Sequence, residues 1–282
     1  MFKIRLLSGI VLVAVIICLL VLGGGVLAAA LGLISLIGMY ELYRIVGAEK
    51  TLLGAVGYLA GLSYYLLLFF SKNPAVDSMP VLFFVAFLIL CMAVYVFTFP
   101  KYSAGQVMTV FFGLVYVAVM LSYIYRTRVM AGGKLLVWLV FLSSWGCDTC
   151  AYCVGMLMGK HKMAPNLSPK KSVEGGIGGI LGAGILGGIF GAVFTGQLSG
   201  TLGSPVLHCA VICMVGAVIS QIGDLAASAI KRNHDVKDYG RLIPGHGGIL
   251  DRFDSVIFVA PGIYYTIVLL MEGTDALGRF LG

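Results

Sequence analysis

Residues 175–196 read GGIGGILGAGILGGIFGAVFTG, twenty-two positions with ten glycines and no charge. Two readings compete for them. A G-x-G-x-x-G dinucleotide loop needs a strand before it and a helix after it, and the flanking sequence offers neither. A transmembrane helix needs about 20 apolar residues. Gly175/Gly179, Gly184/Gly188 and Gly187/Gly191 fall at the small-x-x-x-small spacing that lets helices approach closely in lipid. The stretch therefore reads as a packed membrane span.

The rest of the chain agrees. Of its 282 residues, 60% are hydrophobic and 11% charged, where a soluble domain carries about 25% charge. Apolar runs between charges predict spans near 6–22, 25–43, 51–70, 79–99, 104–125, 135–158, 176–196, 204–230 and 253–271. The expected fold is an all-α polytopic membrane protein with about nine transmembrane helices. Residues 1–130 form an N-terminal scaffold, and 131–282 a catalytic region with cytoplasmic loops at 159–175 and 231–252. The first run stays uncharged to Tyr40, so it reads as two retained spans hinged at Gly23-Gly24-Gly25 rather than a cleaved signal.

Lys and Arg set the orientation. With the N-terminus inside, fourteen of the nineteen fall on inner connections and five, including Lys72 and Arg279, on outer ones. The net charge of +7 is largely this positive-inside signal together with the two large inner loops, and no nucleic-acid partner is needed to explain it. The seven cysteines all lie in or beside apolar runs, which is not the pattern of a disulfide framework. Cys147, Cys150 and Cys153 lack an evident fourth ligand and read as small packing residues.

Two carboxylates, Asp148 and Asp224, fall two or three turns inside the ends of predicted spans. A charge at that depth costs about 2.5–3.5 kcal/mol on insertion scales, so it usually faces a polar cavity. Ser220, Asp224, Ser228 and Lys231 share one helix face, and so do Ser144, Asp148 and Tyr152. Hydrogen bonding between spans accounts for the Ser and Tyr members without chemistry; it accounts less well for the carboxylates.

Charge concentrates between Asp224 and Asp254, where ten of 31 residues are charged and five of the eight Asp lie. Asp251 and Asp254 are three apart at the start of the last span. Simple capping by the helix dipole would explain them. Joined by Asp224, they would also hold Mg²⁺ with positions left for substrate phosphates. Lys231, Arg232, Lys237, Arg241 and Arg252 would then balance phosphate charge. Gly245, Gly247 and Gly248 would let backbone N–H groups approach an anion, while His246 either contacts phosphate or caps a turn. The loop 160–174, with Lys160, Lys162, Lys170 and Lys171, offers a second phosphate grip. "GMLMGKH" at 155–161 only imitates a P-loop: it is one residue short, and His161 stands where Ser or Thr belongs. These features describe a membrane-embedded, cytoplasm-facing site for a polyanion that uses Mg²⁺.

Residues 228–254 resemble the signature of the phosphatidate cytidylyltransferases (CDP-diacylglycerol synthases). Ser228, Ile230, Lys231, Arg232, Lys237, Asp238, Gly240, Ile243, Pro244, His246, Gly247, Gly248, Ile249, Asp251, Arg252, Phe253 and Asp254 all fit it. "DTCAYCVGMLMGKHK" and "SPKKSVEG" are also similar to that family, with Ser172 where Thr is usual and Val173 where Trp is frequent. The likeness covers about 140–260; the first spans match only in hydropathy.

The resemblance implies a CTP:phosphatidate cytidylyl transfer, dependent on Mg²⁺, in the inner membrane with the active site toward the cytoplasm. It leaves a second cation open. It points to Asp224, Asp251, Asp254 and Asp148 as metal ligands, and to Lys231, Arg232 and His246 beside them in catalysis. On the nucleotide side it points to Ser168, Lys170, Lys171, Tyr152, Lys237, Asp238, Gly247, Gly248 and Arg252. The expected partners are CTP, phosphatidate, membrane lipids and a second copy in a homodimer. A CTP-dependent enzyme for an isoprenoid lipid phosphate is the nearest alternative. A lipid-alcohol phosphotransferase needs D-G-x-x-A-R, which "GDLAASAIKR" only brushes against. An ion-coupled transporter would use the same intramembrane Asp residues, but no convincing repeat supports one.

Overall fold

The computed structural model describes residues 2–70 and 79–272. Lys72 and Arg279, which the orientation reading counts, lie outside the described residues, as do the side chains of Lys3 and Arg5. Among the described residues nine long helices follow the predicted spans. They are α1 (Phe2–Leu22), α2 (Gly24–Arg44), α3 (Leu52–Phe70), α4 (Met79–Phe97), α5 (Ala104–Val129), α6 (Gly133–Met158), α7 (Val173–Val193), α8 (Pro205–Asn233) and α9 (Leu250–Glu272). Seven of them, α2, α3 and α5–α9, are long and apolar enough to cross a membrane; Leu7–Leu22 and Val81–Phe97 are shorter apolar helices. The chain is an all-α polytopic membrane protein.

Local chemistry sets the breaks. Gly23 at φ 61° and Gly24 at φ 52° adopt a left-handed backbone that glycine enters freely, so α1 ends and α2 begins at the predicted hinge. Ser103 and Gln106 form a reciprocal capping box at the start of α5. Two helices change pitch: α5 through a π-helical turn at Leu114–Val119 and α6 through one at Leu142–Gly146. The second turn stands immediately before Cys147 and Asp148.

One element was not anticipated. Lys162–Ala164 (β1) and Ser168–Ser172 (β2) form an antiparallel hairpin between α6 and α7. Ser172 ends it and caps α7, its hydroxyl accepting the Gly175 N–H at 3.2 Å.

By contacts the chain divides into two units. The first holds residues 1–122 and 233–253, the second 123–232 and 254–282. In the first, tyrosines tie helices together. Tyr43 donates to the Val110 carbonyl, Tyr65 bonds Ser35, and Tyr64 bonds Ser122, each at 2.9 Å. Tyr43 also lies against Gly57 of α3, where a Cβ would come within 2.6 Å of its hydroxyl.

In the second unit the glycines of α7 do what their spacing predicts. A Cβ at Gly179 would lie 2.9 Å from Cys147 Sγ of α6. A Cβ at Gly187 or Gly191 would run into the backbone carbonyl of Cys209 or Pro205 on α8. Cys147 and Cys150 pack against Gly179 and Gly182 respectively, so both are in use as small side chains. Gly191→Val is expected to lower the thermal midpoint in detergent, since overpacking costs about 1–3 kcal/mol. Gly196→Ala, with nothing within 4 Å of the added atom, should leave it unchanged.

Candidate active site

The second unit contains a cavity of about 370 Å³ where α6, β2, α7 and α8 meet. Its polar lining is Asp148, Tyr152, Lys170, Lys171, Ser172, Gln221 and Asp224. Asp148 follows the π-helical turn of α6, and Tyr152 lies one α-helical turn further on. Gln221 and Asp224, three apart on α8, share a face. The Lys171 ammonium forms an ion pair with Asp224, both side chains about a quarter exposed. Gln221 donates from Nε2 to the Gly176 carbonyl at 3.0 Å.

β2 brings Lys170 and Lys171 to this cavity, and Glu174 fixes the hairpin. Its carboxylate accepts the Lys160 N–H at 3.1 Å and the His161 N–H at 3.2 Å, and lies 2.6 Å from His161 Nδ1. The backbone donors that a P-loop would offer to phosphate are therefore already taken by a carboxylate. This agrees with the reading of "GMLMGKH" as an imitation.

The donor set fits magnesium. Mg²⁺ is usually held by one or two carboxylates together with substrate phosphates and water, rather than by an all-protein cage. Asp148 and Asp224 line one cavity and would offer two hard oxygen ligands, with Lys170 and Lys171 beside them. Among the described residues no group of three or more His, Cys, Asp or Glu is gathered to hold an ion by itself. Ser168 begins β2 opposite Ala164 and is not among the cavity-lining residues. Lys231, at the end of α8, lies 4.0 Å from Asp254. The other Asp254 oxygen accepts the Ser255 N–H at 2.9 Å. Arg232 is exposed in the last turn of α8. Ser144 of the predicted α6 stripe bonds Ser255 of α9 at 2.8 Å.

The first unit contains the glycine loop. Asp251 is 5% exposed, and its Oδ2 accepts N–H groups from Tyr239 at 2.8 Å, Gly240 at 3.4 Å and Gly248 at 2.9 Å. Asp251, expected as a metal ligand, is the organiser of its loop. Ile243 and Gly247 pair across a tight turn. Gly245 and Gly247 within it have φ of 77° and 83°, which a side chain would strain. His246 Nδ1 bonds Ser8 Oγ of α1 at 2.8 Å, which favours the turn-fixing reading of that histidine. Lys237, Asp238 and Arg241 are exposed along the loop. Arg252 Nε is buried without a hydrogen-bond partner among the described residues.

Sequence reading missed four polar contributors: Ser8, Glu41, Glu174 and Gln221. Glu41 of α2 is 4% exposed and accepts the N–H groups of Ile249 at 3.0 Å and Leu250 at 2.8 Å. Gln221 was within reach, since it is three residues from Asp224 on the stripe already identified.

Apolar helices that present two carboxylates, an amide and two lysines to one cavity make a membrane protein suited to a phosphorylated ligand. The chain belongs to the cytidylyltransferase family, whose model matches residues 3–270. It is similar to the phosphatidate cytidylyltransferase of Bacillus subtilis, 32% identical over 276 residues that cover 95% of this chain and 98% of that protein. The enzyme of the same name from Synechocystis sp. is 32% identical, covering 95% and 97% of the two chains. That of Staphylococcus haemolyticus is 31% identical, covering 92% and 96%. The resemblance read from residues 140–260 thus extends through the N-terminal helices as well.

Glu174→Ala removes the acceptor of two backbone N–H groups and the His161 partner. Trypsin should then cut sooner at Lys160 and Lys162 on the hairpin strand, while the helical core keeps its thermal midpoint. Unchanged cleavage would show that the hairpin does not depend on Glu174.

Proposed function

We propose that the chain transfers a cytidylyl group from CTP to phosphatidate, forming CDP-diacylglycerol and releasing pyrophosphate. The observation that carries this reading is the cavity in which Asp148, Asp224 and Gln221 face Lys170 and Lys171, in a chain that belongs to the cytidylyltransferase family. A phosphate oxygen of the lipid attacks the α-phosphorus of CTP. A new P–O bond forms, and the bond from the α-phosphorus to the bridging oxygen breaks. Pyrophosphate leaves with that electron pair. A lipid phosphate is already an anionic nucleophile at neutral pH, so the protein has no strong base to supply. Its residues contribute positioning and charge neutralisation.

Lys170 and Lys171 would take triphosphate oxygens as compact positive charges on flexible stems. The Lys171 and Asp224 side chains are each about a quarter exposed, and an arriving phosphate would replace the carboxylate as the partner of Lys171. Mg²⁺, held by Asp224 and Asp148, would neutralise charge building on the phosphates. Asp254, beside Lys231, is the further acidic candidate of the same unit. The loop residues Lys237, Arg241 and Arg252 would serve phosphate, with Asp251 ordering the glycines among them. Nine spans, with the N-terminus and both polar loops in the cytoplasm, follow from the fourteen-to-five distribution of Lys and Arg. A homodimer is proposed as well, although its support from the glycine stripe is reduced because those glycines face α6 and α8 of the same chain.

Purified protein in detergent is expected to release pyrophosphate from CTP when given phosphatidate and Mg²⁺, and not from ATP or GTP. Release with an isoprenoid phosphate in place of phosphatidate would move the assignment to the alternative lipid. Asp224→Asn should reduce turnover by about 10²-fold or more, the scale of losing a transition-state charge contact. Lys171→Met should mainly raise the KM for CTP. Full activity in both variants would remove this cavity from the reaction.

A further inference from the structure

We infer that Glu41 is a positioning residue for the transfer reaction: from α2 it holds the glycine loop and the start of α9 in their working geometry. The inference rests on the functional reading above, which gives that loop to substrate phosphates.

The first N–H groups of a helix have no partner within it. Ser, Thr, Asp or Asn usually supplies one from the N-cap position. Ile249, immediately before α9, has no side-chain oxygen. Glu41 fills the role from 208 residues away, Oε1 accepting from Ile249 and Oε2 from Leu250. Both oxygens accept from backbone N–H donors. A buried carboxylate is tolerated only with such partners, and the positive end of the α9 dipole adds to them.

The loop is wrapped onto this carboxylate. A Cβ at Gly240 or Gly248 would collide with the Glu41 carboxyl group, so neither position has room for a larger residue. Asp251 grips the same turn through Tyr239, Gly240 and Gly248. Together the two carboxylates bind five backbone N–H groups between Tyr239 and Leu250. Lys237, Arg241, His246 and Arg252 all lie on or beside the segment so held. Glu41 therefore acts through the loop and needs no contact with substrate.

Glu41→Gln is the direct test. The amide keeps shape but offers one acceptor, and its NH₂ turns a donor toward a backbone donor. With phosphatidate, CTP and Mg²⁺, kcat should fall about 10–100-fold, the scale expected when reacting groups are slightly misplaced. Both KM values should stay within about threefold, the pattern of a loss confined to the transition state. The thermal midpoint should move by no more than a few degrees. Glu41→Asp, which keeps both acceptors at shorter reach, should recover part of kcat, and it carries the same comparison if Glu41→Gln does not fold. Wild-type kcat in the Gln variant would overturn the inference. So would a loss that only tracks the fraction of folded protein. An inactive wild-type protein would instead overturn the functional reading on which the inference stands.

Discussion

A carboxylate buried in a protein must find its donors there, because no water is at hand to supply them. Much of the polar architecture follows from that constraint. Glu41 and Asp251 meet it in the same way, and the part-exposed Glu174 makes bonds of the same kind, each accepting backbone N–H groups from a loop that carries basic residues. Glu41 and Asp251 order the glycine loop, and Glu174 orders the base of the hairpin. Charge-assisted bonds of this kind are shorter and stronger than neutral ones. They also explain why glycine recurs beside these carboxylates: only a chain without Cβ lets the backbone close around the oxygens, as Gly240 and Gly248 do around Glu41.

Asp224 is satisfied differently. Its partner is the ammonium of Lys171, carried on a four-carbon stem with free rotamers. A backbone N–H cannot leave its carboxylate without unfolding a loop, whereas a lysine can leave by rotating. The acidic residues therefore divide by the mobility of their partners. Glu41, Asp251 and Glu174, bound by backbone, hold the structure; Asp224, paired with a lysine, stands in the cavity, where a phosphorylated ligand would exchange with both members of the pair.

The helices were legible because length and hydropathy alone decide them, and the nine long helices fall on the predicted runs within a few residues. The hinge at Gly23 and the packing face of α7 were legible through glycine position. The hairpin was not: Lys-Met-Ala and Ser-Pro-Lys-Lys-Ser show no apolar alternation, and the hairpin depends on Glu174 for its anchor. Asp148, Tyr152, Lys170, Lys171 and Asp224 were found from charge in apolar surroundings, and they do line one cavity. Glu41 escaped because it stands three residues before Arg44, where a charge reads as the end of a span. Its partners lie more than two hundred residues away and contribute only backbone. No side-chain pattern records such a bond.

The stripe on α6 shows how a correct periodicity can still assign a residue to the wrong neighbour. Ser144, Asp148 and Tyr152 are spaced for one face of an uninterrupted α-helix. The π-helical turn at Leu142–Gly146 adds a residue to one turn and shifts the face presented on either side of it. Ser144, inside the turn, bonds Ser255 of α9. Asp148 and Tyr152, beyond it, face the cavity with Lys171 and Asp224. The turn lets a single helix serve two neighbours. One contact anchors the helix through a neutral hydroxyl pair, and the other carries the charge. The serine is held by a different helix, while the aspartate lines the cavity.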